Sequence, residues 1–326
     1  MVLTLLCLRE NEKEIQRNTQ KGIDVDHTLT LGNLIDIYIY IYMEEINMVV
    51  SYNTYRGYES CVNHIRKFGW DREKVSSVST AAAKRMVLQA VKDGLSVFTV
   101  QKIKSFLKSV YNIAIENEYV SKNPFSYKWT PRVDTAKKKA LTVDEQKSLL
   151  LFIESNPTLY KKYYHKVIFL LNTGLRVSEF CGVTIDDIDF HRRILIVDKQ
   201  LSITHHNEYY ISRPKSQSGN RVIPLNDMAL EAVQWFLDHR DTKGKDFSVD
   251  GYSDFLLLNN RGRGMNCSLL NDQFNVLTRR YNQEHKSPIK VTPHILRHTF
   301  CSNCIRSGMT PKAVQVLMGH SSFDLQ

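Results

Sequence analysis

The sequence predicts a mainly helical α+β protein of two domains, an all-helical module followed by a mixed domain with a small antiparallel sheet. Three observations predict it. Apolar residues recur at helical spacing in four successive segments between residues 28 and 120. A lysine-rich stretch with a proline interrupts the chain near residue 130, and three short runs of strand character lie between residues 194 and 225. At 326 residues, 42% hydrophobic and 24% charged, the chain is long enough for two cores.

Residues 1–26 precede the first periodic segment. Their polar part, RENEKEIQRNTQKGIDVD, reads as the tail of a helix running into a linker, a remnant behind some further domain. In residues 27–128, Leu31, Leu34, Ile35, Tyr38, Ile39 and Tyr42 predict a first helix, although IYIYIY also alternates as a strand would. Tyr55, Tyr58, Val62, Ile65 and Phe68 predict a second, residues 79–92 a third, and Ile103, Phe106, Leu107, Val110 and Ala114 a fourth, ended by Asn123-Pro124. The aromatic stripe reads as core rather than as a base-stacking platform.

Residues 129–140, WTPRVDTAKKKA, form the linker; Lys137, Lys138 and Lys139 are either a solvated run or a strap crossing a polyanion. The second domain, residues 141–326, opens with Thr142 three residues before Glu145, a capping box. A buried helix over 163–172 breaks at Thr173-Gly174. ILIVDKQLSI, EYYISRPK and RVIPL are the three strands, and helices resume from about Asp227.

Lys plus Arg exceed Asp plus Glu by 44 to 34, a net charge of +10 that suits a polyanionic partner or merely a basic enzyme. Six scattered cysteines do not make a disulfide scaffold and fit a reducing cytoplasm. No secretory leader and no apolar run of membrane-spanning length is legible.

Four phrases carry chemistry. In NTGLRVSEF, Arg176 follows a glycine turn and Glu179 lies three residues on, so a helix there lets the carboxylate orient the guanidinium. In SRPKSQSGNRVIPL, Lys215 stands at a strand end before turn residues. In TPHILRHTF, Pro293 opens a helix on which His294 and Arg297 share a face, while His298 points elsewhere as a structural residue. In TPKAVQVLMGHSS, a helix from Pro311 ends at Gly319 and delivers His320. Singly, each has a bland reading as surface pair, solubilising lysine or helix cap.

Together, in the order Arg, Lys, His-x-x-Arg, His, the phrases TGLR..E, PKS..G.R.IPL, HILRHTF and LMGHSS resemble the catalytic domain of tyrosine recombinases, with wording similar to integrases of conjugative transposons. The resemblance implies a helical core DNA-binding domain and a catalytic domain that cut and rejoin DNA through a 3′-phosphotyrosine, without metal or other cofactor. It implies that Arg176 and Arg297 hold the scissile phosphate, with Glu179 in support. Lys215 would protonate the leaving 5′-oxygen, His294 would assist proton transfer, and His320 would bond the phosphate. The implied partners are double-stranded DNA at recombination sites, further copies of the chain in a tetrameric synapse, and an excisionase, in a bacterial cytoplasm.

The family's nucleophilic tyrosine lies about ten residues beyond its last histidine. Here only SSFDLQ follows His320, and the last tyrosine is Tyr281. Together with the short front, this reads as truncation at both ends, so enzyme activity is implied by the family and open for this chain. A catalytically dead protein occupying recombination sites and a type IB topoisomerase are the alternatives. Cys301 and Cys304 read as packed thiols rather than zinc ligands, His205-His206 as surface, and the RGRG of residues 261–264 as a loop with a phosphate contact as the rival reading.

Overall fold

Leu31, Leu34, Ile35 and Tyr38 are all buried, three and four residues apart, so one face of the first helix turns inward. A computed structural model describes residues 29–46, 52–131, 140–155, 157–204, 208–213, 219–241 and 246–319. The chain divides into two compact units, one running to Thr135 and one from Ala136.

The first unit contains α1 (Leu31–Ile46), α2 (Tyr52–Lys67), α3 (Thr80–Lys92) and α4 (Val97–Glu116). IYIYIY is therefore helical; its length favours helix over strand. Ser79 and Ser96 cap α3 and α4, their hydroxyls accepting the Ala82 and Thr99 backbone N–H groups at 3.1 Å. The aromatic stripe is core: Tyr38, Tyr58 and Phe106 pack ring against ring at 5.1–6.0 Å. The predicted stop at Asn123-Pro124 comes late, because α4 ends at Glu116. Asn123 instead folds the following segment back, bonding Lys108 O, Asn112 Oδ1 and the Phe125 N–H.

The second unit contains α5 (Val143–Ser155), α6 (Pro157–Thr173), α7 (Val177–Gly182), β1 (Ile188–Asp189), β2 (Ile194–Val197), β3 (Gln200–Ile203), β4 (Tyr209–Ser212), β5 (Arg221–Pro224), α8 (Asp227–Asp238), α9 (Cys267–Glu284), α10 (Pro293–Arg306) and α11 (Pro311–Met318). The predicted capping box starts α5: the Thr142 N–H donates to Glu145 Oε2 at 2.7 Å, and the Glu145 N–H to Thr142 Oγ1 at 3.1 Å. Val167 through Leu171 of α6 are buried among α8 and α10, with Phe169 stacked on Phe180 at 5.0 Å.

The single sheet that was expected is two. ILIVDKQLSI, expected as one strand, bends at Asp198-Lys199 and serves both: β2 pairs antiparallel with β1 and β5, and β3 with β4. The bend is anchored inside. The buried Lys199 ammonium donates to Asp187 and lies 4.9 Å from the Tyr252 ring. In β5 the alternation turns Arg221 and Ile223 inward and Val222 and Pro224 outward.

Candidate active site

Gly174 ends α6 in the left-handed conformation, φ +60°, and turns the chain so that Arg176 becomes the N-cap of α7. Its left-handed turn is also tightly packed, since a Cβ there would lie 2.2 Å from the Phe300 ring. Arg176 is thus extended backbone at the helix entrance rather than part of the helix. Its own N–H donates to Glu179 Oε2 at 2.8 Å, and its Nη1 donates to Glu179 Oε1 at 2.7 Å.

Glu179 is 1% exposed and gathers two more arginines. Arg221 donates to it in a bidentate fork, Nη1 to Oε1 at 3.0 Å and Nη2 to Oε2 at 2.8 Å. Arg297 Nη1 lies 3.8 Å from Oε2 and donates to Gly174 O at 2.6 Å. Burial alone pushes the Glu179 carboxyl up, but the hydrogen bonds and charge of Arg221, joined by Arg176, outweigh it and bring it to about 2. Burial, then the Arg176 charge, lowers Arg297 to about 9 against the pull of Glu179; it stays a cation at neutral pH.

The same three guanidiniums hold the end of α11. Arg221 Nε donates to Leu317 O at 2.7 Å, Arg297 Nη2 to Met318 O, and Arg176 Nη2 to Gly319 O at 3.1 Å. Three successive carbonyls that the helix leaves unpaired are thereby satisfied, at the negative end of its dipole. Three guanidiniums against one carboxylate leave two positive charges on the cluster. Arg176, its side chain 38% exposed against 4% for Arg297 and 2% for Arg221, is the cation an incoming anion meets first.

Pro293 occupies the first turn of α10, as expected, and Thr292 caps it. His294 is exposed one turn before the buried Arg297. The expectation that His298 points elsewhere fails: its Nε2 lies 2.9 Å from His294 Nε2, with the rings edge to face at 4.4 Å, because i and i+4 side chains are neighbours on a helix. Cys304 packs with Phe300, Val314 and Met318. Among the described residues no three His, Cys, Asp or Glu side chains gather as metal ligands. Lys215, His320, His205, His206 and Lys137, Lys138 and Lys139 lie outside the described residues.

Arg221 is the site residue that sequence reasoning missed. The signal was present. In RVIPL the inward positions are Arg221, Ile223 and Leu225, and an arginine on a buried strand face demands a carboxylate.

The Glu179 geometry fixes the direction of an acid response. A carboxyl held below its ordinary value of 4.5 stabilises the folded state fully above that pH, and the contribution is lost as pH falls towards 2. Stability measured by denaturant titration should therefore decline through that window. Glu179→Gln should lower the neutral-pH value and flatten the decline; an unchanged acid limb would refute the assignment.

This fold, with an arginine cluster built on a glycine turn, a buried glutamate and the end of a late helix, is that of a tyrosine recombinase. Residues 139–325 match the phage integrase family, and residues 33–131 match the phage integrase SAM-like domain. The transposase from transposon Tn916 of Enterococcus faecalis is 35% identical over 97% of this chain and 78% of its own length. Tyrosine recombinase XerA of Thermococcus onnurineus is 28% identical, covering 86% of this chain and 89% of its own. Among solved structures, the Tn1549 transposon integrase in complex with a circular intermediate DNA superposes with a TM-score of 0.80 at 34% identity, over 90% of this chain and 92% of that one. The chain belongs to the phage integrase family of tyrosine recombinases. Among the described residues, no helix is long and apolar enough to cross a membrane.

Proposed function

We propose that the second unit holds a DNA phosphodiester on Arg176 and Arg297 for attack by a tyrosine hydroxyl, in site-specific recombination of a mobile element. The observation that carries this is the arginine cluster, whose two surplus positive charges sit where only Arg176 opens to solvent. Planar guanidiniums match the non-bridging oxygens of a pentavalent phosphorus: Arg176, oriented by Glu179, meets them from the open side, and Arg297 reaches them by exchanging its bond to Met318 O for one to the phosphate.

Attack forms a bond from the tyrosine oxygen to phosphorus and breaks the bond to the 5′-oxygen. That oxygen takes a proton from Lys215 and leaves as a hydroxyl, and the 3′-phosphotyrosine keeps the ester for rejoining. His294 serves the tyrosine proton and His320 bonds the phosphate. Residues 27–128 act as the core DNA-binding domain and residues 129–140 as the linker, with Lys137–Lys139 on the DNA backbone. The Tn1549 integrase, at 34% identity, is solved in complex with a circular intermediate DNA, which supports the substrate class. Tetrameric assembly on DNA and an excisionase partner complete the reading, with the cytoplasm as its location.

The rival reading is occupancy of recombination sites without cleavage, and Tyr281 is the nucleophile in neither. Tyr281, the last tyrosine of these 326 residues, is 3% exposed, bonded to Ser148 at 2.7 Å and stacked on His285 at 3.9 Å. It is a core residue, not a nucleophile.

A suicide DNA substrate separates the readings. A covalent adduct with the 326-residue chain supports cleavage, and a gel shift without adduct supports occupancy. An adduct that appears only on mixing with an intact integrase identifies a tyrosine donated in trans. Where adduct forms, Arg176→Ala should reduce it roughly 30- to 1,000-fold, from about 2–4 kcal/mol of transition-state stabilisation, while gel-shift affinity changes little. Loss of both would signal misfolding.

A further inference from the structure

The RGRG phrase forms a hydrogen-bonded turn. Asn259 organises it, its Oδ1 accepting the backbone N–H groups of Arg261 at 2.8 Å and Arg263 at 3.2 Å, while its own N–H donates to Arg263 O at 2.7 Å. Gly262 supplies a φ of +72°, and Leu258 bridges to Gly264. The loop reading of RGRG is therefore right, and the loop is built rather than slack.

The turn walls a cavity of about 510 Å³ whose lining includes Tyr209, Arg261, Arg263, Asn266 and Gln273 and no carboxylate. The Arg263 guanidinium is fixed 4.8 Å from the Tyr209 ring and 5.9 Å from that of Phe247. Tyr209 is itself held, its hydroxyl donating to Gly264 O at 3.0 Å. Gln273, another lining residue, accepts a hydrogen bond from the buried Lys166 ammonium through its Oε1 at 2.6 Å. Asn266 caps the N-terminus of the 18-residue α9, whose dipole is positive at that end. Among the described residues, neither Arg261 nor Arg263 pairs with a carboxylate. Two arginines on a hydrogen-bonded turn, with amide donors and no acid, have the chemistry of a phosphate-binding surface.

We propose that Arg261 and Arg263 are a second phosphate subsite, gripping the backbone of duplex DNA at a phosphate other than the scissile one. The proposal rests on the DNA-binding reading and deepens it. A fixed backbone contact sets the register of the duplex on the unit and carries no base information.

The test is equilibrium binding of the full chain to a fluorescein-labelled duplex of random sequence across a salt series. Each phosphate contact contributes about 0.9 to the slope of log affinity against log salt. Arg261→Gln/Arg263→Gln should weaken binding at low salt about tenfold or more and lower that slope by about 1–2. Arg261→Lys/Arg263→Lys should keep most of the slope, because the charges remain. Circular dichroism melts matching the parent chain show that the glutamine variant is folded; if it melts early, Arg261→Gln alone, on the exposed side of the turn, should still lose about 0.9.

An unchanged slope in a folded variant overturns this proposal and leaves the DNA-binding reading standing. Failure of the parent chain to bind any duplex overturns both. Inorganic phosphate should compete no better than chloride at equal ionic strength. Competition specific to phosphate and absent in the glutamine variant would overturn the backbone assignment and mark a site for free phosphate.

Discussion

Arg221→Ala is expected to destabilise the second unit by about 3–5 kcal/mol, the range for stranding one partner of a buried ion pair. The reason lies with Glu179 more than with the arginine. Glu179 is 1% exposed, and the bidentate fork from Arg221 is what offsets the cost of keeping its charge out of water. Without it, Arg176 and the more distant Arg297 remain, one of them half open to solvent. The loss also releases Leu317 O at the end of α11. Hydrogen exchange on α6, α7 and α8 peptides of the intact chain should show the destabilisation. Arg221→Lys should fall between parent and alanine, since one ammonium cannot span both carboxylate oxygens. Wild-type protection in Arg221→Ala would mean that Glu179 is protonated or hydrated, and would sink the account.

Gly174→Ala is expected to cost about 2–5 kcal/mol, the sum of two separable effects. A left-handed backbone costs a residue with a Cβ about 1–2 kcal/mol. The new methyl would also lie 2.2 Å from the Phe300 ring, an overlap worth about 1–3 kcal/mol once neighbours shift. The shift would reach the site, because Gly174 O accepts from Arg297 and Arg176 stands two residues on. Chemical denaturation of the single variant and of Gly174→Ala/Phe300→Leu separates the terms: trimming the ring should recover the overlap and leave the backbone cost. Full recovery in the double variant would show that the turn tolerates alanine.

Helix positions in both units were legible because they depend on local spacing and caps. Thr142 with Glu145, Thr292 before Pro293, and Gly319 after Met318 are satisfied within a few residues of chain, so no distant partner is needed to read them. Strand partition was not legible. ILIVDKQLSI reads as one strand until the Lys199–Asp187 pair and the two ladders divide it, and each ladder is a long-range pairing. His298 was misplaced for another reason: a histidine four residues from His294 can turn towards it or away, and side-chain rotation decides.

By itself, then, the sequence determined the order of the helices and the identity of Arg176, Glu179, His294 and Arg297 as the residues to watch, since residue type and near spacing suffice for that. Tertiary structure decided what those residues form. Arg176 and Glu179 come from one turn, Arg221 from a strand 42 residues beyond Glu179, and Arg297 from a helix 123 residues beyond Gly174. No local pattern encodes their convergence on one buried carboxylate and three successive carbonyls. It follows from burial: a carboxylate and two guanidiniums removed from water are stable only where each finds its partner, and packing of the whole unit brings those partners together.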